Sequence, residues 1–297
     1  MIEPTYAIEA QEEFLYPGHL ACQGCGSTIA IRYVLKALGK NTVVVIPACC
    51  WSIIAGLFPS SCLGVPLVHT AFETAAVAAT GVRAALDIQG KEGVNVLAWA
   101  GDGGTFDIGF QALSGAAERN EDILYCCYDN EAYMNTGIQR SSATPVGAWT
   151  TTTPKGGLED RPKKDIVRIM AAHNIPYAAT ANVAFPDDLY RKAKKAASIK
   201  GMKFIHILSP CPTGWRIPSS ESVEVARLAT LSNLFPLYEV ENGSKVIVNY
   251  FPPKKVPVAQ YLESQGRFHL VSDEQKKQIQ RNVDAYWGGL MKEVKKK

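Results

Sequence analysis

The chain has 297 residues and a formal net charge of +3, with 47% hydrophobic and 20% charged residues. This length accommodates one large α/β domain, with or without an appendage, and the composition supplies a real core. No apolar run approaches the roughly 18 residues of a membrane span, and no basic stripe interleaved with aromatics points to nucleic acid.

The opening segment MIEPTYAIEAQEEF is acidic and lacks the basic-then-apolar pattern of a signal peptide, so a cytoplasmic protein is expected. In that reducing compartment structural disulfides are disfavoured. Eight cysteines then point to a metal or to redox chemistry, with some serving as small core residues.

In chain order, GHLACQGCG (18–26) places Cys22-x-x-Cys25 in a Gly-rich turn before a helix expected near 27–38. A strand at Thr42–Ile46 runs into Cys49 and Cys50, and a second at Val65–Val68 ends at His69. A helix near 73–89, opened by Glu73, precedes a strand at Val94–Ala100, and a helix near 106–119 follows GDGG. The strand Ile123–Tyr128 leads into Asp129–Lys164, rich in Gly, Thr, Ser and Pro; a loop of that size in a compact domain is usually functional. Helices near 165–173 and 187–199 and a strand at Lys203–Leu208 precede SPCPTGW (209–215). The main domain is expected over 1–235. Residues 236–297 read as a C-terminal extension packing on the core or on a partner subunit, with a charged helix near 273–293 that ends in solvent.

The strands are apolar at consecutive positions, as expected when both faces are covered. Their alternation with helices predicts an α/β fold with a doubly wound, mostly parallel sheet. Such sheets bind ligands beyond the carboxyl ends of their strands. The unusual residues follow the strands here: Cys49 and Cys50, Gly101 to Gly104, Asn130, and Cys211.

AGDGGTFDIG (100–109) is not a dinucleotide fingerprint, because Phe106 stands where the third glycine belongs, and no P-loop motif occurs anywhere in the chain. Gly103 and Asn130 are 27 positions apart, room for a crossover helix and the next strand. Asp102 and Asn130 should therefore meet at neighbouring strand ends, two hard oxygen donors suited to Mg²⁺ completed by diphosphate oxygens. Gly101, Gly103 and Gly104 would let backbone N–H groups approach the phosphates. The plain alternative is an N-cap aspartate with a tight glycine turn.

Cys22-x-x-Cys25 by itself fits zinc, a redox dithiol or chance. With Cys50 and Cys211 it becomes four thiolates that can hold a 4Fe–4S cluster or one zinc ion, and spacing does not separate the two. Cys49 is as well placed as Cys50 on these grounds. Cys126 and Cys127 read as core, and Cys62 and His19 have no assigned role. His69 reads as a hydrogen-bonded core histidine ahead of a catalytic base. Trp51 and Trp215 flank the cysteines and would shield a metal centre from water.

GDGGTFDIG followed by DNEAYMNTGIQRSSATP resembles the thiamine-diphosphate segment of pyruvate and related 2-oxoacid:ferredoxin oxidoreductases. The likeness extends from GHLACQGCG at 18–26 to SPCPTGW at 209–215. It implies the thiamine-diphosphate-binding fold and the role of β subunit. It also implies that Asp102, the Asn130 side chain and the Ala132 carbonyl ligate Mg²⁺. Cofactor contacts would come from Cys50, Gly101, Asp102, Gly103, Gly104, Asn130, Glu131, Ala132, Tyr133, Met134 and Asn135, with Asn135 nearest the reacting carbon and the catalytic candidate. Cys22, Cys25, Cys50 and Cys211 would carry a 4Fe–4S cluster. Some relatives have an acidic residue at the position of Ser27.

The implied reaction is oxidative decarboxylation of a 2-oxoacid, pyruvate first, with electrons passed to ferredoxin and the acyl group to coenzyme A. A branched-chain or aryl 2-oxoacid or oxalate is the alternative substrate. The rival readings are a non-oxidative thiamine enzyme and a zinc-stabilised scaffold subunit. The resemblance also implies a hetero-oligomer, with an α subunit and further subunits supplying the glutamate for the aminopyrimidine, the coenzyme A contacts and extra clusters.

Overall fold

The computed structural model describes residues 8, 11–57, 59–153 and 158–294. Helix α1 (Gly26–Leu38) leads into β1 (Thr42–Pro47), a short α2 (Cys50–Ile54), β2 (Leu67–Thr70), α3 (Ala75–Ile88) and β3 (Asn95–Gly101). A π-helical turn (Gly103–Ile108) runs into α4 (Phe110–Glu118) and β4 (Leu124–Asp129). Then come α5 (Ile166–Ala172), β5 (Tyr177–Asn182), α6 (Pro186–Ala197), β6 (Lys203–Leu208), a single turn α7 (Pro212–Trp215) and α8 (Ser222–Leu231). The chain closes with β7 (Tyr238–Glu241), β8 (Lys245–Val248), α9 (Val258–Glu263) and α10 (Asp273–Val294).

These strands form one eight-stranded sheet in the order β2-β1-β3-β4-β6-β5-β7-β8. The first six are parallel, and β7 and β8 add antiparallel strands to the β5 edge, with Ala178 opposite Val240. The α/β, doubly wound architecture expected from the sequence is the one observed. Residues after 235 add strands to the same sheet that the earlier residues build.

Both faces are covered. On one, Ala30 and Val34 of α1 and Leu189 and Ala193 of α6 pack on Val44, Trp99 and Ile205. On the other, Ala76 and Ala79 of α3, Leu113 and Ala116 of α4 and Met170 of α5 pack on Val45, Ala98 and Phe204. Each fully buried Val, Leu or Ile contributes about 1.5–3 kcal/mol, and the alanines let the helices lie close to the sheet. Cys126 and Cys127, adjacent on β4, point to opposite faces and are both core. A third core, around Trp215, Phe235, Tyr261, Phe268 and Val283, joins α7 to the C-terminal segment.

Three expectations need correction. The region near 106–119 is not one helix: Gly109 N–H reaches back five residues to Gly104 O (2.9 Å), which widens the first turn. A Cβ on Gly109 would sit 2.2 Å from that oxygen, so the turn exists only because residue 109 is glycine. β2 begins two residues later than expected and is the outer strand of the sheet, so His69 is exposed and is no core histidine. Glu73 stands ahead of α3, whose N-cap is Thr74. Strand β5, YAATAN, carries little strand signal in its sequence because small and polar residues dilute its apolar pattern.

The topology creates the site. From β1 the chain moves outward to β2, then returns past β1 to continue through β3 and β4 in the other direction. The segments leaving β1 and β3 therefore part, and a crevice opens above their carboxyl ends.

Candidate active site

Two cavities adjoin at this crevice. The larger, about 780 Å³, is walled by the segments after β1 (Ala48 to Cys50, Ser52, Ile53), after β3 (Gly101 to Gly104) and after β4 (Asn130, Ala132 to Thr136), with Phe72, Tyr128, Gln139, Arg140 and Thr152. The smaller, about 180 Å³, is lined by Cys22, Cys25, Cys50 and Cys211 together with Leu20, Ser27, Ile53, Ile54 and Ser209 to Pro212. Cys50, Ile53, Asn130 and Asn135 line both.

In the larger cavity three oxygen donors converge. The terminal atoms of the Asn130 amide lie 2.9 Å from Asp102 Oδ1 and 2.8 Å from Ala132 O when its nitrogen is turned toward them. In the opposite orientation three oxygens face one another, an arrangement that needs a cation among them. Neighbouring oxygens of an octahedron with Mg–O bonds of about 2.0–2.1 Å are themselves about 2.9 Å apart. The donor set therefore fits a hard divalent ion. Asp102 is buried, and its other oxygen is fixed by Ser141 Oγ at 2.5 Å. Burial first, and then the nearby Asp129, push the Asp102 carboxyl well above its ordinary value, an electrostatic cost that a bound cation removes.

The glycines are needed for close approach. A Cβ on Gly103 would come within 2.0 Å of the Tyr133 ring. That ring is pinned by its hydroxyl, which donates to Asp107 Oδ2 (2.6 Å), and by an edge contact with Phe72. Asp107 also accepts from Ser142 N–H at 3.1 Å; against burial, the Ser142 and Tyr133 hydrogen bonds hold its carboxyl below the ordinary range. Glycine at 103 is therefore what lets the Tyr133 ring pack on this turn, and Gly101 to Gly104 line the cavity at the carboxyl end of β3, where a diphosphate would meet a turn without bulky side chains.

In the smaller cavity the four thiols come from three segments: the turn carrying Cys22 and Cys25, the start of α2 with Cys50, and the stretch after β6 with Cys211. Burial, followed by the other cysteines, pushes the Cys50 thiol up, and burial raises Cys211 to about 11. Thiolates gathered here need a positive centre to exist at neutral pH, which suits iron–sulfur or zinc chemistry. Among the described residues no three His, Cys, Asp or Glu side chains converge closely enough to hold a single metal ion. Cys49 lines only the larger cavity: it caps α2, where its N–H donates to Ser52 Oγ (3.1 Å). Cys50 is the member of the pair that faces the other three cysteines.

Residues 50–207 match the family described as thiamine pyrophosphate enzyme, C-terminal TPP binding domain. The chain is 53% identical over 291 residues to the ketoisovalerate oxidoreductase subunit VorB of Pyrococcus furiosus, covering 95% of this chain and 93% of that protein. It is 51% identical over 278 residues to the pyruvate synthase subunit PorB of Methanothermobacter marburgensis, covering 93% and 96%. It belongs to the thiamine-diphosphate-binding β subunits of the 2-oxoacid:ferredoxin oxidoreductases. The 2-oxoglutarate:ferredoxin oxidoreductase of Magnetococcus marinus shares the fold, with a TM-score of 0.59, 22% identity and coverage of 76% of this chain and 84% of that one.

In this oxidoreductase β subunit the segment after β4 is held from behind by charges. Glu131, expected among the cofactor contacts, does not line the cavity; its side chain turns into the protein and is almost wholly buried. Its oxygens pair with Lys163 Nζ (2.7 Å) and Arg267 (2.6 Å), its N–H donates to Asp129 Oδ1 (2.8 Å), and its carbonyl accepts from Thr144 Oγ1 (2.8 Å). These bonds hold Glu131 at a φ of 68°, a left-handed conformation costing a side-chain-bearing residue about 1–3 kcal/mol. That conformation sets the directions of its neighbours Asn130 and Ala132. Asp129 in turn pairs with Lys163 (2.5 Å) and His206 (2.6 Å). Against burial, Lys163 and then His206 hold its carboxyl down to about 2.

Arg267 also stacks on Trp215 at 3.9 Å, and the Trp215 indole donates to Asn130 O (2.8 Å). The C-terminal segment thereby clamps both the Asn130 loop and the turn that follows Cys211. Ser141, Lys163, His206 and Arg267 were not singled out by sequence. Their partners lie 39, 34, 77 and 136 positions away, beyond any local pattern. No described helix is long and apolar enough to cross a membrane.

Proposed function

We propose that this chain is the cofactor-bearing subunit of an enzyme that oxidatively decarboxylates pyruvate, passing electrons through a 4Fe–4S cluster to ferredoxin, with coenzyme A as acyl acceptor. The observation that carries this reading is the junction of the two cavities. The four-cysteine pocket shares Cys50, Asn130 and Asn135 with the pocket that fits Mg²⁺ and a diphosphate. A thiamine enzyme without redox chemistry leaves those thiols without a purpose, and a zinc scaffold leaves the oxygen triad and the glycine cradle without one. A branched-chain 2-oxoacid is the second substrate reading, supported by the 53% identity to the ketoisovalerate oxidoreductase subunit.

Thiamine diphosphate, when bound, supplies the electron sink for decarboxylation. The chain's own part is binding, orientation and electrostatics. Asp102, Asn130 and the Ala132 carbonyl hold the metal; the Gly101–Gly104 backbone receives the diphosphate; Cys22, Cys25, Cys50 and Cys211 hold the cluster. Asn135, at the boundary of the cavities, offers its amide to the substrate. Ile53, Ile54 and Leu20 reduce water around the thiolates. An α subunit and further chains complete the site in the cytoplasm.

The test is anaerobic purification of the natural complex with iron, sulfide, zinc and thiamine assays, followed by ferredoxin reduction with pyruvate and with 3-methyl-2-oxobutanoate. Four irons attributable to this chain, one thiamine diphosphate and preference for pyruvate are expected. Zinc in place of iron, or no thiamine, would overturn the reading, and preference for the branched acid would select the second substrate. Asn135→Ala that binds cofactor and keeps full turnover would remove Asn135 from the mechanism.

A further inference from the structure

One buried hydroxyl stands between two of the cysteine-bearing segments. Ser27 Oγ lies 3.0 Å from Trp51 Nε1 and 3.1 Å from Cys25 Sγ. Ser27 and Trp51 are both buried, at 3% and 0% exposure, so water does not compete for these groups. An indole N–H only donates, so Ser27 Oγ must accept from Trp51. The serine's single proton is left to point elsewhere. Among the described residues Cys25 Sγ is the other hydrogen-bonding atom within reach of that oxygen.

The geometry leaves Ser27 little room to turn away. Gly26 N–H donates to Pro210 O (3.0 Å), and a Cβ on Gly26 would lie 2.7 Å from Pro210 N, so the start of α1 is pressed against the segment carrying Cys211. Thr28 Oγ1 donates to Cys25 O at 2.7 Å, which fixes the turn on the other side. Trp51 directly follows Cys50 and packs edge-on against the buried Trp99 at 6.2 Å. The Trp51–Ser27 bond therefore ties the Cys50 segment to the Cys25 segment and sets the direction of the serine proton.

We propose that Ser27, oriented by Trp51, donates a hydrogen bond to the Cys25 thiolate and raises the reduction potential of the cluster that Cys25 helps to hold. The inference rests on the iron–sulfur reading of the preceding subsection. Reduction adds negative charge to the cluster and its sulfurs, and a donor aimed at a ligating sulfur stabilises the reduced state more than the oxidised one. Because Ser27 and Trp51 are buried, that single donor counts for more than it would in water. Ser27 is a positioning residue acting through Cys25.

The test uses the intact complex, prepared anaerobically as wild type, Ser27→Ala and Ser27→Thr, with the cluster of this chain identified as the signal that Cys25→Ala abolishes. Redox titration followed by electron paramagnetic resonance is expected to show that signal at a lower potential in Ser27→Ala. It should return toward wild type in Ser27→Thr, with iron content and thiamine diphosphate affinity the same in all three. In reduced wild type, electron–nuclear double resonance after exchange into D₂O is expected to reveal an exchangeable proton coupling that is absent in Ser27→Ala, distinct from any due to the Gly214 N–H that points at Cys211 Sγ (3.5 Å). An unmoved potential in Ser27→Ala, or no coupling lost between wild type and Ser27→Ala, overturns the inference while leaving the iron–sulfur reading in place. Wild-type complex without iron on this chain overturns both.

Discussion

Replacing Arg267 with methionine should loosen the metal-binding loop from a distance. The Arg267 side chain is 2% exposed and the Glu131 side chain 1%, and they meet at 2.6 Å. Removing one partner of a buried ion pair costs about 3–5 kcal/mol, because the remaining charge keeps its desolvation penalty. Two features of the site reduce that cost. Glu131 keeps Lys163 at 2.7 Å, and methionine retains apolar contact with Trp215, so about 3 kcal/mol is expected. With about 2–4 °C per kcal/mol for chains somewhat shorter than this one, the melting temperature should fall by roughly 6–12 °C.

Glu131 would also lose a bond that holds its left-handed backbone, so Asn130 and Ala132 should become less ordered and Mg²⁺-dependent thiamine diphosphate binding weaker. The assays are denaturant unfolding followed by tryptophan emission, and cofactor titration at fixed Mg²⁺. Glu131→Gln completes a double-mutant cycle, in which the two effects should fall short of additivity by about 1–3 kcal/mol. Stability within about 0.5 kcal/mol of wild type, typical of an unremarkable surface change, together with unchanged cofactor affinity, would refute the claim that this pair holds the loop.

Ser141→Ala frees one oxygen of Asp102 and should weaken Mg²⁺-dependent cofactor binding by about 10–100-fold, as loss of outer-shell partners does in metal sites; equilibrium titration would read it. Cys50→Ser should strip iron from the chain, whereas Cys49→Ser should keep it, which iron analysis after anaerobic purification distinguishes. The last prediction concerns pH. Against burial, the hydrogen bond from Lys195 and the charge of Lys192 hold the Glu239 carboxyl below its ordinary value. Its contribution is thus complete above the ordinary carboxylate range of about 4.3 and is lost as pH falls through the lowered value. Amide protection in β7 and β8, taken relative to the intrinsic exchange rate at each pH, should fall on acidification before that in β3 and β4. In Lys195→Met, where Glu239 is no longer held as low, that protection should already be reduced at neutral pH and should fall less on acidification.

Much of the site was readable because it is built at strand ends. Asp102, Asn130, Cys50 and Cys211 each follow an apolar run that forms a central strand, and parallel topology carries all such ends to one edge. The glycines of GDGG were readable for a related reason: close backbone approach leaves a composition signature. Spacing could not choose between Cys49 and Cys50, because the choice depends on where α2 begins relative to the end of β1, a matter of one residue's rotation.

The sequence by itself determined the order of the central elements, the residues that leave the strands, and the oxygen and sulfur chemistry they offer. Only the tertiary structure decided that Glu131 turns inward, that His69 lies on an outer strand, and that Arg267 reaches across 136 positions to clamp the loop. Local periodicity reports how a residue meets its own helix or strand. The direction of a buried charge is fixed by partners that folding brings from elsewhere, and those leave no trace in the neighbouring residues.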